Sequence, residues 1–267
     1  MPWRPGRGAQ QRALEAAYED VPPHLAQPLW NWINNGFWYH IERLTPVAIR
    51  MRETLPADPN PAMQELLRRC DEDSAFMLDL VEAMLELYGW DSGRGTDLRE
   101  LLVDANSAYT VREDYRGLEL RTVPEVKEQV QETVNLAAGS AGDHLRNAWN
   151  EAYGRHPDPT KAYSEAIKAV ESAMAPVVSP MNVKATLGTI LKDVERKPSK
   201  WEFSIADGRA DGVDTVLQMM QMLWDGQTSR HGGVAPTRAE TPSEAQAAVH
   251  LAATLVQFAV GKSFRPV

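Results

Sequence analysis

A mainly α-helical chain in two parts is what this sequence predicts: an N-terminal helical module over residues 1–105, then a short β-hairpin and a helical bundle over residues 106–267. Three observations lead there. Apolar residues recur at three- and four-residue spacing along most of the chain, as one face of a helix requires. Alternation of apolar and polar residues is confined to the stretch from Tyr109 to Leu120. Proline, glycine and side-chain caps punctuate the periodic stretches at helix-length intervals.

In chain order, Ala9 to Glu19 reads as a short helix closed by Val21-Pro22-Pro23. The stretch from His24 to about Met51 carries Trp30, Trp32, Phe37, Trp38 and Tyr39, and Gly36 is expected to bend or interrupt it. These rings read as core because large aromatic side chains bury the most area, with a ligand cage as the rival. After the Pro56–Pro61 loop a single helix is expected from Ala62 to Tyr88, stopped by Asp91-Ser-Gly-Arg-Gly95. Asp97 to Val103 completes the module. Tyr109/Val111 and Leu118/Leu120 form the hairpin around Gly117, and this hairpin is expected to join the two halves.

Pro124 opens what reads as one long helix to Tyr153. Asp158 is an N-cap with Pro159 in the first turn of a helix reaching Met174. Leu187 to Val194 and Val213 to Trp224 mark two more helices. Thr241-Pro-Ser-Glu244 is a capping box ahead of the stripe Ala245, Val249, Ala252, Val256 and Ala259.

The hydrophobic fraction of 43% and charged fraction of 24% belong to an ordered globular chain. The net charge of −9 is unevenly spread. Residues 1–126 carry 13 arginines and no lysine against 21 acidic groups, whereas residues 127–267 carry 15 basic and 16 acidic groups. Steering of a polyanion toward the whole chain is therefore weak, while a groove on the second half stays open to RNA. The lone Cys70 cannot form an internal disulfide and suits a reducing compartment and a packing role. No apolar run approaches the roughly 20 residues of a membrane helix. No apolar core follows the arginines near Met1, so no secretory leader and a cytoplasmic protein without a membrane partner are expected.

Phosphate-binding glycine loops, dinucleotide fingerprints, paired metal-ligand spacings and nucleophile elbows are absent from the sequence. No cofactor and no metal are therefore expected. Asp71-Glu72-Asp73 reads as solvated charge. The candidate catalytic pair is Arg230 and His231, set in Asp225-Gly-Gln-Thr-Ser-Arg-His-Gly-Gly233 between two helices. A histidine transfers protons near neutral pH and an arginine holds phosphate oxygens as charge builds. Such a pair suits metal-free cleavage of RNA, where the ribose 2′-hydroxyl attacks its own 3′-phosphate. A helix-end cap or an ion pair accounts for the same two residues equally well.

Asp143 to Met174, with Ala166-Ile-Lys-Ala-Val-Glu171 at its centre, resembles the two-helix hallmark of AbiJ-like abortive-infection proteins. Leu187 to Val194, Ser229 to Gly232 and Ser243 to Phe258 match that C-terminal HEPN-like domain in order and character, and Tyr109 to Leu120 corresponds to the small β-element before it. The resemblance spans about residues 105–262. It implies an all-helical, often dimeric domain in anti-phage defence. Active members carry an arginine, a polar residue, and a histidine some four to six positions on. Arg230 fits the arginine and His231 the polar position, but His-Gly-Gly-Val-Ala-Pro-Thr follows, without that later histidine. Arg146-Asn147 starts the pattern too, with His156 too far on.

Two readings follow. In the first, the chain is an abortive-infection ribonuclease of the toxin type, acting as a homo-oligomer on RNA after a phage or host protein triggers it. Arg230 then holds phosphate and His231 moves the proton, with Glu165 and Glu171 either orienting Arg230 or serving as ordinary helix-surface or packing charges. In the second, it is a non-catalytic interaction or dimerisation module, or a phage-encoded accessory protein. Its N-terminal aromatic patch then binds a partner.

Overall fold

The computed structural model describes residues 17–38, 40–90, 92–137, 139–205, 212–229 and 237–267. Among them the chain is mainly helical, as the periodicity predicts, with two small antiparallel strand pairs. It divides into two units, Met1–Arg121 and Thr122–Val267.

In the first unit α1 (Pro23–Trp38) is followed by a 3-10 turn (Ile41–Arg43), α2 (Leu44–Met51), α3 (Pro59–Glu72), α4 (Ser74–Tyr88) and α5 (Ser92–Asp104). The most apolar of them, α4, buries Met77, Leu78, Leu80, Val81, Met84 and Leu85 and packs against α1, α2 and α3. Strands β1 (Tyr109–Val111) and β2 (Leu118–Leu120) pair with Tyr109 opposite Leu120 and Val111 opposite Leu118. The hairpin belongs to this unit. Val111 and Leu118 sit in its core, and the buried Glu82 of α4 accepts the Leu118 N–H at 2.5 Å. The division between units accordingly falls after the hairpin, at Arg121, and not before residue 106.

Several boundaries differ from those expected. Of the helix read over Ala9–Glu19, residues 9–16 lie outside the described residues, and Tyr18 is extended, bridging to Ser107. The interruption placed at Gly36 comes instead after Trp38, because Gly36 is a packing residue. A Cβ there would stand 2.7 Å from both Met84 Cε and Trp90 Cη2. The helix expected across 62–88 is two helices, since Asp73 is extended (φ −139°, ψ 106°) and its carboxylate accepts the Ala75 and Phe76 N–H groups as the cap of α4. Asp73 is thus more than solvated charge. Gly89 (φ 48°) ends α4, and α5 starts at Ser92, before the predicted Asp97.

The aromatic patch is core. Trp32 and Phe37 are buried, and Trp32 meets Trp90 edge-on at 4.7 Å. Arg94 lies over Trp90 at 4.3 Å, donates to the Trp32 carbonyl at 2.8 Å, and accepts at its own carbonyl from Trp32 Nε1 at 3.0 Å. Trp38 is the exposed ring, at 70%, and Tyr39 lies outside the described residues. Cys70 is buried, and burial pushes its thiol pKa up to about 12, which suits a packing residue.

The second unit holds α6 (Pro124–Leu136), α7 (Ser140–Tyr153), α8 (Pro159–Val178), α9 (Leu187–Arg196), β3 (Trp201–Phe203), α10 (Gly212–Asp225), α11 (Pro242–Val260) and β4 (Phe264–Pro266). The helix expected from Pro124 to Tyr153 breaks where Ala137 turns extended (ψ 125°) and Gly139 takes φ 62°. Helices α7, α8 and α11 pack on one another. Small residues line the seams: Ala148 and Ala152 on α7, Ala162, Ala166 and Ala169 on α8, and Ala245, Ala248 and Ala252 on α11 are all buried. Tyr153 Oη and His250 Nε2, 2.7 Å apart, add a polar tie between α7 and α11. Helix α6 packs on α7 and α11, α9 on α8, and α10 on α9 and α11. The caps at Asp158 and at Thr241 with Glu244 form as predicted. The β3–β4 pair, closed by Trp201 stacked on Phe264 at 5.7 Å, has no counterpart among the sequence-based expectations.

Gly36→Val is expected to destabilise the protein by about 1–3 kcal/mol through overpacking, read from the urea midpoint; an unchanged midpoint would contradict the packing role. Asp73→Ala is expected to cost about 1 kcal/mol in the same measurement through the lost cap.

Candidate functional site

Arg230 and His231, with Gly232 and Gly233, lie outside the described residues. Helix α10 ends at Asp225, and Thr228 and Ser229 follow in a turn. Beyond the segment, the polar side chain that organises the return is Glu240, buried at 3% exposure just before the Thr241 cap of α11. Glu240 Oε1 accepts the Ser229 N–H at 2.9 Å, and its Oε2 accepts the Thr160 hydroxyl at 2.8 Å. The Thr228 hydroxyl donates to the Arg238 carbonyl at 3.0 Å. One buried carboxylate therefore ties the residue before Arg230 to the first turn of α8. Burial by itself raises the Glu240 carboxyl pKa, but the Ser229 and Thr160 hydrogen bonds outweigh it and hold the group below the usual carboxylate range.

The two carboxylates expected to orient Arg230 have other partners among the described residues. Glu165, 8% exposed, accepts from His144 Nδ1 and from Lys168 Nζ, each at 2.7 Å and each on its own oxygen. Burial raises its pKa, and the Lys168 and His144 hydrogen bonds reverse that into a net lowering. Glu171 accepts the Leu187 N–H at 2.7 Å, serving one of the free amides that open α9.

The Glu165 cluster borders a cleft of about 600 Å³ along α7, α8 and the loop leading to α9. Ser140 and His144 reach it from α7, and Lys168 and Ser172 from α8. The Ser140 hydroxyl donates to Ser172 Oγ at 3.1 Å across the seam. A histidine whose Nδ1 is held by a carboxylate presents a fixed ring and a defined tautomer, the arrangement used for proton transfer. His144 and Lys168 were not among the residues singled out from sequence. Their signal there is slight, a polar residue in each of two alanine-rich helices, and only the crossing of those helices brings them together.

Among the described residues, no group of three or more His, Cys, Asp or Glu side chains is placed to hold a metal ion. No described helix is long and apolar enough to cross a membrane. In comparisons with known proteins, no family model, curated protein or solved structure matches the chain.

Glu240 gives a pH-dependent prediction. Its carboxyl is held below its ordinary value, so its contribution is complete above about pH 4.3 and fades as pH falls through the lowered folded value. Glu240→Gln is expected to lose about 1–3 kcal/mol at neutral pH. The gap to wild type should narrow in acid, as thermal melts across pH 3–7 would show; a constant gap would contradict the ionised tie.

Proposed function

We propose that the chain is an abortive-infection-type anti-phage protein whose second unit is a HEPN-like, metal-independent ribonuclease acting as a dimer. Arg230 holds the scissile phosphate and His231 carries the proton from the attacking 2′-hydroxyl to the 5′-oxygen that leaves as its bond to phosphorus breaks, replacing by a shifted geometry the histidine that the family pattern places further on. RNA is the substrate because the 2′-hydroxyl supplies the nucleophile. The observation that carries this reading is the Glu240 tie, which anchors Ser229, the neighbour of Arg230, to α8. A catalytic loop needs such a fixed base, since misplacement by an ångström costs large factors in rate. The helical second unit, with its two consecutive helices α7 and α8 and a capped α11, is in keeping with the resemblance. The rival reading of an aromatic docking patch loses support, because Trp32 and Phe37 are buried in the first unit's own core.

Expression of the wild type, Arg230→Ala and His231→Ala chains, with and without phage, tests the proposal. The wild type is expected to fragment cellular RNA, and each substitution to slow fragmentation by about 100-fold or more while melting temperature holds. Intact RNA in every strain and condition would overturn it.

A further inference from the structure

The cleft along α7 and α8 carries polar groups that the Arg230–His231 chemistry leaves unused. Two helices supply them in matching rows. Ser140 and His144 stand one turn apart on α7, and Lys168 and Ser172 one turn apart on α8. The rows meet through the Ser140–Ser172 hydrogen bond and through Glu165, which takes His144 on one oxygen and Lys168 on the other. In the neutral imidazole with Nδ1 donating to that carboxylate, Nε2 carries the lone pair, and it has no partner among the described residues. Lys168 keeps two of its three N–H groups beyond the one given to Glu165. Ser172 Oγ accepts from Ser140, so its own proton is left to donate. A fixed acceptor thus stands beside two donors, one of them cationic.

We infer that this cleft binds a ribonucleotide unit in which a hydroxyl adjoins a phosphate, the hydroxyl donating to His144 Nε2 and a phosphate oxygen accepting from Lys168 and Ser172. The choice of ligand rests on the ribonuclease reading above; the pairing of acceptor and donors stands on the cleft alone. The volume of about 600 Å³ is in the ordinary range for a small-molecule site. Pro176 and Val183 give it an apolar border against which the rest of a nucleotide can lie. Charge argues for one phosphate and not for a polyanion track. Lys168 shares its charge with Glu165, and Glu171, which also lines the cleft, brings a carboxylate that is engaged at the Leu187 N–H. A weakly charged site of this kind recognises phosphate and hydroxyl together, and a deoxyribose lacks the hydroxyl.

The test is equilibrium binding to the full chain with uridine 3′-monophosphate, its 2′-deoxy analogue and single-stranded decauridine, the last measured on Arg230→Ala so that cleavage does not intrude. Uridine 3′-monophosphate is expected to bind wild type more tightly than the deoxy analogue. Lys168→Gln should weaken both by about 10-fold through loss of a charge-assisted hydrogen bond. His144→Gln should erase the preference for the ribose form, a result that a merely structural role for the histidine would not produce. Weakening of the mononucleotide alone assigns the cleft to free nucleotides, and weakening of decauridine as well assigns it to RNA; either supports the inference. Absence of binding by both ribonucleotide probes, or unchanged affinities and preference in variants that melt like wild type, overturns it. The two proposals fail separately. Cleavage of RNA without these effects removes the cleft and leaves the ribonuclease, whereas nucleotide binding without cleavage does the reverse.

Discussion

The close contact of α8 with α7 and α11 governs the second unit. Buried alanines on all three helices leave little side-chain bulk between the backbones where these helices pack. Interiors packed this tightly transmit small displacements instead of absorbing them. Every polar feature of interest in the unit hangs on that frame. Thr160 at one end of α8 donates to Glu240, while further along the helix Glu165, which also holds Lys168, meets His144 of α7 and Ser172 meets Ser140. A larger side chain in the seam would displace both sites together.

Buried carboxylates are the second organising element, in keeping with an acidic chain. Glu82 ties the β1–β2 hairpin to α4, Glu240 ties the turn after α10 to α8, and Glu165 collects His144 and Lys168. Each carboxyl group is hydrogen-bonded where it is buried, which is the condition for keeping a polar group out of water. The shared consequence is asymmetry: removing a partner costs more than the bond itself contributes, because a buried polar group is then left without compensation. These residues therefore specify how elements meet more than they add to net stability.

In the first unit the same specifying role falls to Arg94. Its guanidinium covers Trp90 and Trp32 while exchanging hydrogen bonds with the Trp32 backbone and ring through its own side chain and carbonyl. An aromatic group that in sequence suits either a core or a ligand cage is thereby closed on itself. Gly36 completes the arrangement by leaving room for Trp90 and Met84.

Local chemistry determined much of this protein from the sequence by itself. Helical periodicity, the Asp158 and Thr241 caps and the alternation at Tyr109–Leu120 act within a few residues, and both caps, the hairpin and most of the marked helical stretches are present among the described residues. Where periodicity runs unbroken through Asp73 or Ala137, it cannot reveal a backbone that leaves the helix, because apolar spacing continues on both sides. Arg230 and His231 stood out in sequence as residue types beside paired glycines, whereas Glu240, which accepts the N–H of their neighbour Ser229, did not. Glu240 meets Thr160 across 80 residues of chain, and Glu165 meets His144 across 21. The β3–β4 pair escapes for the same reason, since three-residue strands 61 positions apart carry no pattern of their own. Sequence determined where most helices and the first hairpin form. The tertiary structure decided which side chains meet, because a buried polar group is satisfied by whatever partner the packing of helices delivers to it.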